Sequence, residues 1–247
     1  MVKNYLKKAT AGIALLAMSS FASADGHSEI SYSANLGFMS DYIYRGIHQS
    51  SSSAMGGFDI EYGSFYLGTW FADLQEGGWG SGGSHRGFEY DVYAGFGMDV
   101  TDSISAYLGY TIYRYTDKGA NAFDDDYDEV NVGVSFALTD DLSLSLDYSN
   151  GENTLTDQSE VDYDILTTTI EYMGAYFTYG DWGVSEDDDG ETDAEYMEIG
   201  YSRTVGDFDL AGAFVLSELE LAGGAGNSDP TEDGDFSRFI FSISTGF

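Results

Sequence analysis

The side chains best suited to chemistry or ligand binding lie close together in residues 40–50, SDYIYRGIHQS. Asp41, Arg45 and His48 combine an acid, a permanent cation and a group that titrates near neutral pH. Cations are rare elsewhere, since the chain has 43 Asp and Glu but only nine Lys and Arg. Such a cluster could form a ligand site, a catalytic centre or a structural corner. The fold that positions it must decide between these three.

Catalysis has little support in the pattern of residues. The chain has three histidines, His27, His48 and His85. Their spacing fixes no nucleophile, general base and orienting carboxylate in one place. We therefore expect a protein that is not an enzyme.

The first 24 residues are expected to be a cleaved signal peptide. Three lysines precede a short apolar core, and a small-x-small cleavage site ends at Ala24. Residues 25–247 then form a single exported domain, which we expect in a Gram-negative bacterium. The formal net charge of −34 excludes a nucleic-acid partner, because binding a polyanion depends on Lys and Arg.

Composition and periodicity both favour an all-β chain. Twenty Tyr, 16 Phe and 32 Gly accompany a single Pro and no Cys. Apolar and polar residues alternate with period two, as in Leu142, Leu144, Leu146 and Tyr148. The pattern predicts twelve strands, with ten or fourteen as alternatives, at residues 30–39, 53–62, 64–73, 88–98, 103–115, 127–138, 142–150, 161–172, 175–184, 194–204, 207–219 and 236–247.

The connections between these strands alternate between long and short. Short periplasmic turns, long extracellular loops and an even strand count are typical of a closed antiparallel barrel in the bacterial outer membrane. The last strand ends in Phe247, which resembles the assembly signal that the barrel-assembly machinery recognises. We therefore expect outer-membrane lipid and this machinery as partners.

The alternation also assigns directions to side chains. The first strand crosses the membrane by residue 39, so that residues 40–46 are expected at the outer rim. Tyr42 and Tyr44 then point to the membrane interface, where tyrosine is common. The candidates for lining the pore are Asp41, Arg45, Asp59, Glu89, Asp91, Glu129, Asp147 and Glu198.

Two acidic runs could bind hard divalent cations such as Ca²⁺ or Mg²⁺ through carboxylate oxygens. They contain Asp124, Asp125 and Asp126, and Asp187, Asp188 and Asp189. Neither run fits an EF-hand loop, and solvated acidic surface is the competing interpretation. We expect no other cofactor.

Residues 40–50 resemble the SDYxxRGxxQS opening of the TorF family of porin-like proteins, formerly a conserved hypothetical outer-membrane family. Residues 56–74 and 89–97 continue the resemblance in the same order. The resemblance implies an outer-membrane barrel and a channel without a defined substrate. The acidic inserts at 121–129 and 185–195 depart from the family pattern.

Together these features predict a porin-like channel through which small solutes diffuse passively. Carboxylates in the lumen and at the mouth would favour cations over anions. The alternative is a non-conducting structural or surface-interaction barrel whose acidic loops bind divalent cations. A soluble all-β binding module is a third interpretation.

Overall fold

The structure is a computed structural model that describes residues 30–75, 86–116, 126–154, 160–186, 190–219 and 236–247. The predicted signal peptide, His27 and His85 lie outside these residues. Across the described ranges the regular elements are all β-strands. None of these residues belongs to a helix that is long and apolar enough to cross a membrane.

Fourteen strands follow one another along the chain. They are β1 (Ile30–Met39), β2 (Tyr42–Tyr44), β3 (Ile47–Ser50), β4 (Ser53–Tyr62), β5 (Phe65–Gln75), β6 (Arg86–Thr101), β7 (Ile104–Tyr115), β8 (Tyr127–Ala137), β9 (Leu142–Thr154), β10 (Glu160–Tyr172), β11 (Ala175–Glu186), β12 (Gly190–Val205), β13 (Phe208–Leu219) and β14 (Phe236–Gly246). β1 and β4–β14 form a closed antiparallel barrel of twelve strands, while β2 and β3 pair separately as a hairpin. The predicted all-β barrel and its strand number are confirmed.

The first and last strands close the barrel. Phe38 in β1 pairs with Ile243 in β14, and the register continues to Asn35 and Gly246. Beyond that point the backbone N–H of Phe247 donates to the Ala34 carbonyl at 2.9 Å. Closure leaves no unpaired sheet edge, and an unpaired edge is what most often drives a β-sheet to associate with other chains.

Polarity is reversed relative to a water-soluble barrel. On β6, Tyr90 and Val92 point outward and are 42% and 40% exposed. Their neighbours Glu89 and Asp91 point inward and are 1% and 2% exposed. The same alternation recurs on the other barrel strands, so that large apolar side chains cover the exterior and polar side chains lie inside.

Short turns gather at one end of the barrel. Gly63, Gly174 and Gly206 have positive φ angles of 60°, 86° and 67°, which glycine adopts without steric cost. The other end carries the connections predicted to be long, and most of their residues lie outside the described ranges. The hairpin β2–β3 leaves the barrel wall at this long-connection end.

Several strands extend beyond their predicted ends. β12 begins at Gly190, inside an acidic segment that we expected to be a loop. Its backbone continues to pair with β11 there, from Glu186 opposite Gly190 onward. Backbone hydrogen bonds need no apolar side chain, and therefore the hydrophobic pattern underestimates strand length above the apolar belt.

Candidate functional site in the barrel lumen

The chain between β1 and β4 turns into the barrel instead of standing on its rim. We call residues 40–52 the lumen hairpin; it contains β2 and β3. Its tip is Arg45 and Gly46, with φ angles of 49° and 83°. Two consecutive positive φ angles are typical of the type I′ turn that favours tight hairpins. A Cβ added to Gly46 would lie 2.6 Å from Cβ of Tyr196, so only glycine fits.

The prediction that Tyr42 and Tyr44 mark the membrane interface is wrong. Both side chains lie inside the barrel, where they are 2% and 7% exposed. Tyr42 packs against Trp70, with 5.4 Å between the ring centroids. The hydroxyls of Tyr44 and Tyr113 are hydrogen-bonded at 2.7 Å. The alternation of inward and outward side chains along β1 ends at Met39. After Met39 the chain leaves the wall and reverses direction within the hairpin, so that this alternation no longer applies to Tyr42 and Tyr44.

The tip of the lumen hairpin reaches the opposite wall. Nη1 of Arg45 donates to Oε1 of Glu129 at 2.7 Å, and Nη2 donates to Oγ of Ser149 at 2.9 Å. The Arg45 carbonyl accepts a hydrogen bond from Nε1 of Trp182 at 3.0 Å. Glu129 is on β8, which is four strands from β4 around the barrel. Trp182 is on β11, which is four strands from β1 in the other direction. The hairpin therefore crosses the lumen.

Glu129 is the centre of this polar network. Its side chain is 1% exposed, whereas that of Arg45 is 15% exposed. Three further donors reach the same carboxylate: Tyr163 at 2.8 Å, Tyr113 at 3.0 Å and Asn131 at 3.0 Å. A buried carboxylate with a cation and several hydrogen bonds is compensated for its lost hydration.

A second polar group fixes the base of the hairpin to β14. Nη1 of Arg238 lies 3.4 Å from Oδ1 of Asp41, and Nε2 of His48 lies 3.5 Å from the same oxygen. The Ser40 backbone N–H donates to the Phe241 carbonyl at 2.8 Å. Burial lowers the pKa of His48, which lies on the hairpin and outside the barrel strands. The positive charge of Arg238 lowers this pKa further, and Asp41 partly opposes the shift.

Below the hairpin, the wall repeats a row of tyrosine, glycine and acid on three adjacent strands. Tyr93, Gly68 and Asp59 pair across β6, β5 and β4, and the Tyr93 hydroxyl donates to Asp59 at 2.5 Å. A Cβ on Gly68 would lie 2.3 Å from the Tyr93 ring. Glycine is therefore what lets the ring lie across the middle strand and reach the acid.

The same arrangement recurs further around the barrel. Tyr107, Gly133 and Asp147 pair across β7, β8 and β9, and the Tyr107 hydroxyl donates to Asp147 at 2.8 Å. A related contact joins only two strands: the hydroxyl of Tyr176 on β11 donates to Glu198 on β12. These rows explain why the sequence combines many tyrosines and glycines with inward-facing acids.

The structure places all eight predicted pore-lining residues in the interior, although by two different routes. Asp59, Glu89, Asp91, Glu129, Asp147 and Glu198 face inward from the barrel strands, as alternation predicts. Asp41 and Arg45 reach the interior on the lumen hairpin instead of from an extended first strand. Whether these side chains line a conducting pore stays a prediction.

The lumen hairpin itself was missed by the sequence analysis. The sequence does contain one signal for it: Arg45-Gly46 follows Ile43-Tyr44 and precedes Ile47. An X-Gly dipeptide between β-forming residues favours a two-residue turn. The inward direction of the hairpin has no comparable local signal.

Of the residues predicted to bind metal, the structure describes Asp126. Its carboxylate lies 3.6 Å from Nε of Arg114 and accepts the Tyr115 backbone N–H at 3.3 Å. Residues 124–125 and 187–189 lie outside the described ranges. No group of three or more acidic or histidine side chains within those ranges has a geometry that could hold a metal ion.

A closed antiparallel barrel of twelve strands with an apolar exterior and a polar interior has a porin-like fold. The KdgM porin has this fold with a TM-score of 0.54 at 10% identity, over 87% of this chain and 99% of that chain. The NanC porin gives a TM-score of 0.52 at 9% identity, with the same coverage of 87% and 99%. A structure of the KdgM porin in complex with disordered oligogalacturonate gives 0.53 at 11% identity, again over 87% and 99%. At these identities the similarity establishes the fold alone.

The chain belongs to the Gcw_chp family, described as a bacterial protein of unknown function, whose model matches residues 23–247. No curated protein sequence matches the chain.

Proposed function

We propose that the protein is a porin-like channel of the bacterial outer membrane through which small solutes diffuse passively. The observation that carries this proposal is the reversed polarity of the closed barrel. Outward side chains such as Leu108 and Phe239 are 55% and 67% exposed, while Glu89 and Glu129 are each 1% exposed. An apolar exterior is stable in lipid, and a closed sheet satisfies its backbone groups there.

The resemblance of residues 40–50 to the TorF family supports the same location and role. The predicted signal peptide and the terminal Phe247 are consistent with export and with assembly by the barrel-assembly machinery. Passive diffusion requires no catalytic group and no cofactor, and its partners are the surrounding lipid and the transported solutes.

The channel would prefer cations, because its described interior carries an excess of carboxylates. Asp59, Asp147 and Glu198 face inward, and each accepts a hydrogen bond from a tyrosine hydroxyl. The inward cation Arg45 is already paired with Glu129. Rings of carboxylates favour cations in channels.

Oligogalacturonate, named with the KdgM porin, is a polyanion that this interior would repel. Oligogalacturonate is therefore not expected among the solutes of this channel. Small cations and small neutral solutes fit the charge of the lumen better.

Planar-bilayer recording of the refolded chain, without residues 1–24, tests the proposal. Under a KCl gradient we expect discrete current steps whose reversal potential shows selectivity for K⁺. Asp59→Asn combined with Glu198→Gln should reduce this selectivity, whereas Arg203→Gln, on the outward-facing phase of β12, should not. Absence of current steps from samples with a folded barrel would contradict a channel.

A non-conducting structural barrel is the second candidate, and one observation favours it. The lumen hairpin crosses the interior and contacts the far wall through Arg45. If the hairpin never moves, the barrel is closed, and its function would lie in its surface or its acidic connections. That candidate predicts a folded, membrane-inserted barrel that never conducts.

A further inference from the structure

We propose that the lumen hairpin, residues 40–52, is a movable gate that closes the channel when inserted and opens it when withdrawn. This inference rests on the proposed channel function. The hairpin is not one of the twelve barrel strands, and the barrel closes without it.

The inserted hairpin lies across the lumen and enters it from the end with the long connections. Tyr42, Ile43 and Ile47 are at most 3% exposed, so that these side chains of the hairpin are packed against the wall. The added Cβ of Gly46 would touch Tyr196 on β12, and Arg45 contacts β8 and β9. A segment that contacts the wall on opposite sides narrows the path of a solute through the lumen.

The wall remains closed without the hairpin. Met39 and Ser53, which flank it, are paired neighbours in the register of β1 and β4. The hairpin can therefore leave the lumen without breaking backbone pairing between the barrel strands. A plug attached in this way can move while the barrel stays folded.

Buried polar atoms without a hydrogen-bond partner occur on the inserted hairpin and on the wall beside it. Within the described ranges, five buried side-chain atoms have no hydrogen-bond partner: His48 Nε2, Glu89 Oε2, Asp91 Oδ1, Ser217 Oγ and Arg238 Nε. His48 belongs to the hairpin, Arg238 contacts its Asp41, and Ser217 Oγ lies 3.1 Å from a Cβ added to Gly46.

The two carboxylates on β6 are covered by the tyrosines of the hairpin. The Tyr42 hydroxyl approaches Glu89. Asp91 is paired with Trp70 on one side and Tyr113 on the other, and these pack against Tyr42 and Tyr44.

Unsatisfied buried polar atoms destabilise the state that buries them. Withdrawal of the hairpin would give water access to the polar wall atoms that the hairpin now covers. It would also add Glu89 and Asp91 to the charged lining of the open lumen. Insertion is therefore opposed by desolvation, and it is held by the contacts of Arg45 with Glu129, Ser149 and Trp182.

Two backbone conformations add to this balance. Arg45 and Ser52, at the tip and near the return of the hairpin, have φ angles of 49° and 87°. Residues with a Cβ are rarely stable at positive φ, and such strain is common in switch segments. The inserted hairpin combines strain and unsatisfied polar atoms with the ion pairs Arg45–Glu129 and Asp41–Arg238, as expected for a segment with two alternative positions.

The first experiment removes the gate. Replacing residues 40–52 with Asn-Gly joins Met39 to Ser53 through a two-residue turn, which suits paired antiparallel strands. In planar bilayers the bridged barrel should conduct steadily, whereas the full chain should switch between a closed level and openings of similar size. Equal, steady currents from both would overturn the gate but leave the channel function intact. No current from either would overturn the channel function itself.

The second experiment weakens the contact that holds the hairpin. Arg45→Met leaves Glu129 without its cation, and the fraction of time spent open should rise about tenfold or more. Arg114→Met is the matched control, since this arginine pairs with Asp128 at 3.2 Å on the outward-facing phase of β7. An unchanged open fraction in Arg45→Met, or an equal rise in Arg114→Met, would overturn the role of Arg45.

The third experiment detects movement without relying on a deletion variant. The chain has no cysteine, so Ile47→Cys introduces a single thiol at a position that is 3% exposed. A water-soluble thiol reagent should label it in the folded barrel, and faster when Arg45→Met is added. Val205→Cys, at a position that is 52% exposed, serves as the accessible reference. Complete protection of Ile47→Cys in both backgrounds would show a permanent plug and overturn the gate.

Discussion

Glu129→Gln is the substitution from which the structure predicts the largest effect on the polar network of the lumen. Glutamine keeps the size of the side chain but removes its charge. One amide oxygen and one NH₂ group would then face the donors that now share two carboxylate oxygens. The four donors belong to Arg45, Tyr113, Asn131 and Tyr163.

The magnitude follows from the burial of the pair. Removing one partner of a buried ion pair costs about 3–5 kcal/mol of the free energy of unfolding. Arg45 keeps 15% of its side chain exposed, whereas Glu129 keeps 1%. Water can partly hydrate the unpaired guanidinium, and we therefore expect about 3 kcal/mol, the lower end of that range.

A double-mutant cycle isolates the interaction. Arg45→Met and Glu129→Gln should each destabilise the barrel, and the double variant should lose about 2–3 kcal/mol less than the sum of the two. Urea unfolding in lipid of variants made in a Trp70→Phe, Trp79→Phe background, followed by circular dichroism and by the fluorescence of Trp182, measures both. Trp182 is suited to this because it donates to the Arg45 carbonyl.

The cycle has a matched comparison in Tyr93→Phe and Asp59→Asn, which removes a hydrogen bond of 2.5 Å between two strands of the wall. Its coupling should be about 1 kcal/mol, without a change in Trp182 fluorescence. A coupling near zero between Arg45 and Glu129 would refute the view that this pair holds the hairpin in the lumen.

Three further predictions test separate parts of the account. Gly46→Ala should lower the free energy of unfolding by more than the about 1–2 kcal/mol expected for positive φ alone, because its Cβ would meet the wall. Gly63→Ala, whose Cβ would have no atom within 4 Å, should lower it only by the backbone amount. Equal losses of the two variants in urea unfolding would contradict this. Leu108→Arg should lower the free energy of unfolding in lipid by about 2–4 kcal/mol, since Leu108 lies in the middle of β7. Leu138→Arg should lower it by about 0–1 kcal/mol, since Leu138 lies beside a turn at the end of β8. Equal effects would argue against a lipid-facing belt. The pKa of His48 is lowered in the inserted hairpin, and protonation of His48 therefore favours the withdrawn hairpin. Insertion should weaken as pH falls below about 6.5, the ordinary pKa of histidine. Trp182 fluorescence should show this change in the full chain but not in His48→Asn.

The sequence predicts the barrel well because its two determining signals are local. Alternation along β8 separates Val130 and Val132 from Glu129 and Asn131, and the structure has the same separation. Turn residues such as Gly63 mark where strands reverse. A closed sheet follows from these strands once lipid is the solvent.

The lumen hairpin could not be predicted in the same way. Its direction is fixed by contacts with residues that lie far along the chain, such as Glu129, Ser149 and Trp182. The period of two on β1 does not reveal that the chain reverses after Met39. Because that reversal is hidden, the alternation places Tyr42 and Tyr44 at the membrane interface, whereas both side chains pack inside the barrel.

The tyrosine, glycine and acid rows lie between these two cases. Each residue type is visible in the sequence, but a row such as Tyr107, Gly133 and Asp147 forms only when three strands adopt the correct register. Register depends on the turns and on the whole closed sheet. The acids could therefore be assigned to the interior, whereas their hydrogen-bond partners could not.

The most direct test of the account measures ion flux into proteoliposomes that contain the barrel with residues 40–52 replaced by Asn-Gly. Removing the hairpin separates the barrel's capacity to conduct from the position of the gate. We expect K⁺ to enter rapidly and Cl⁻ more slowly, both at rates far above those of protein-free liposomes. K⁺ entry no faster than in protein-free liposomes, with the barrel folded and inserted, would contradict a channel function for this protein.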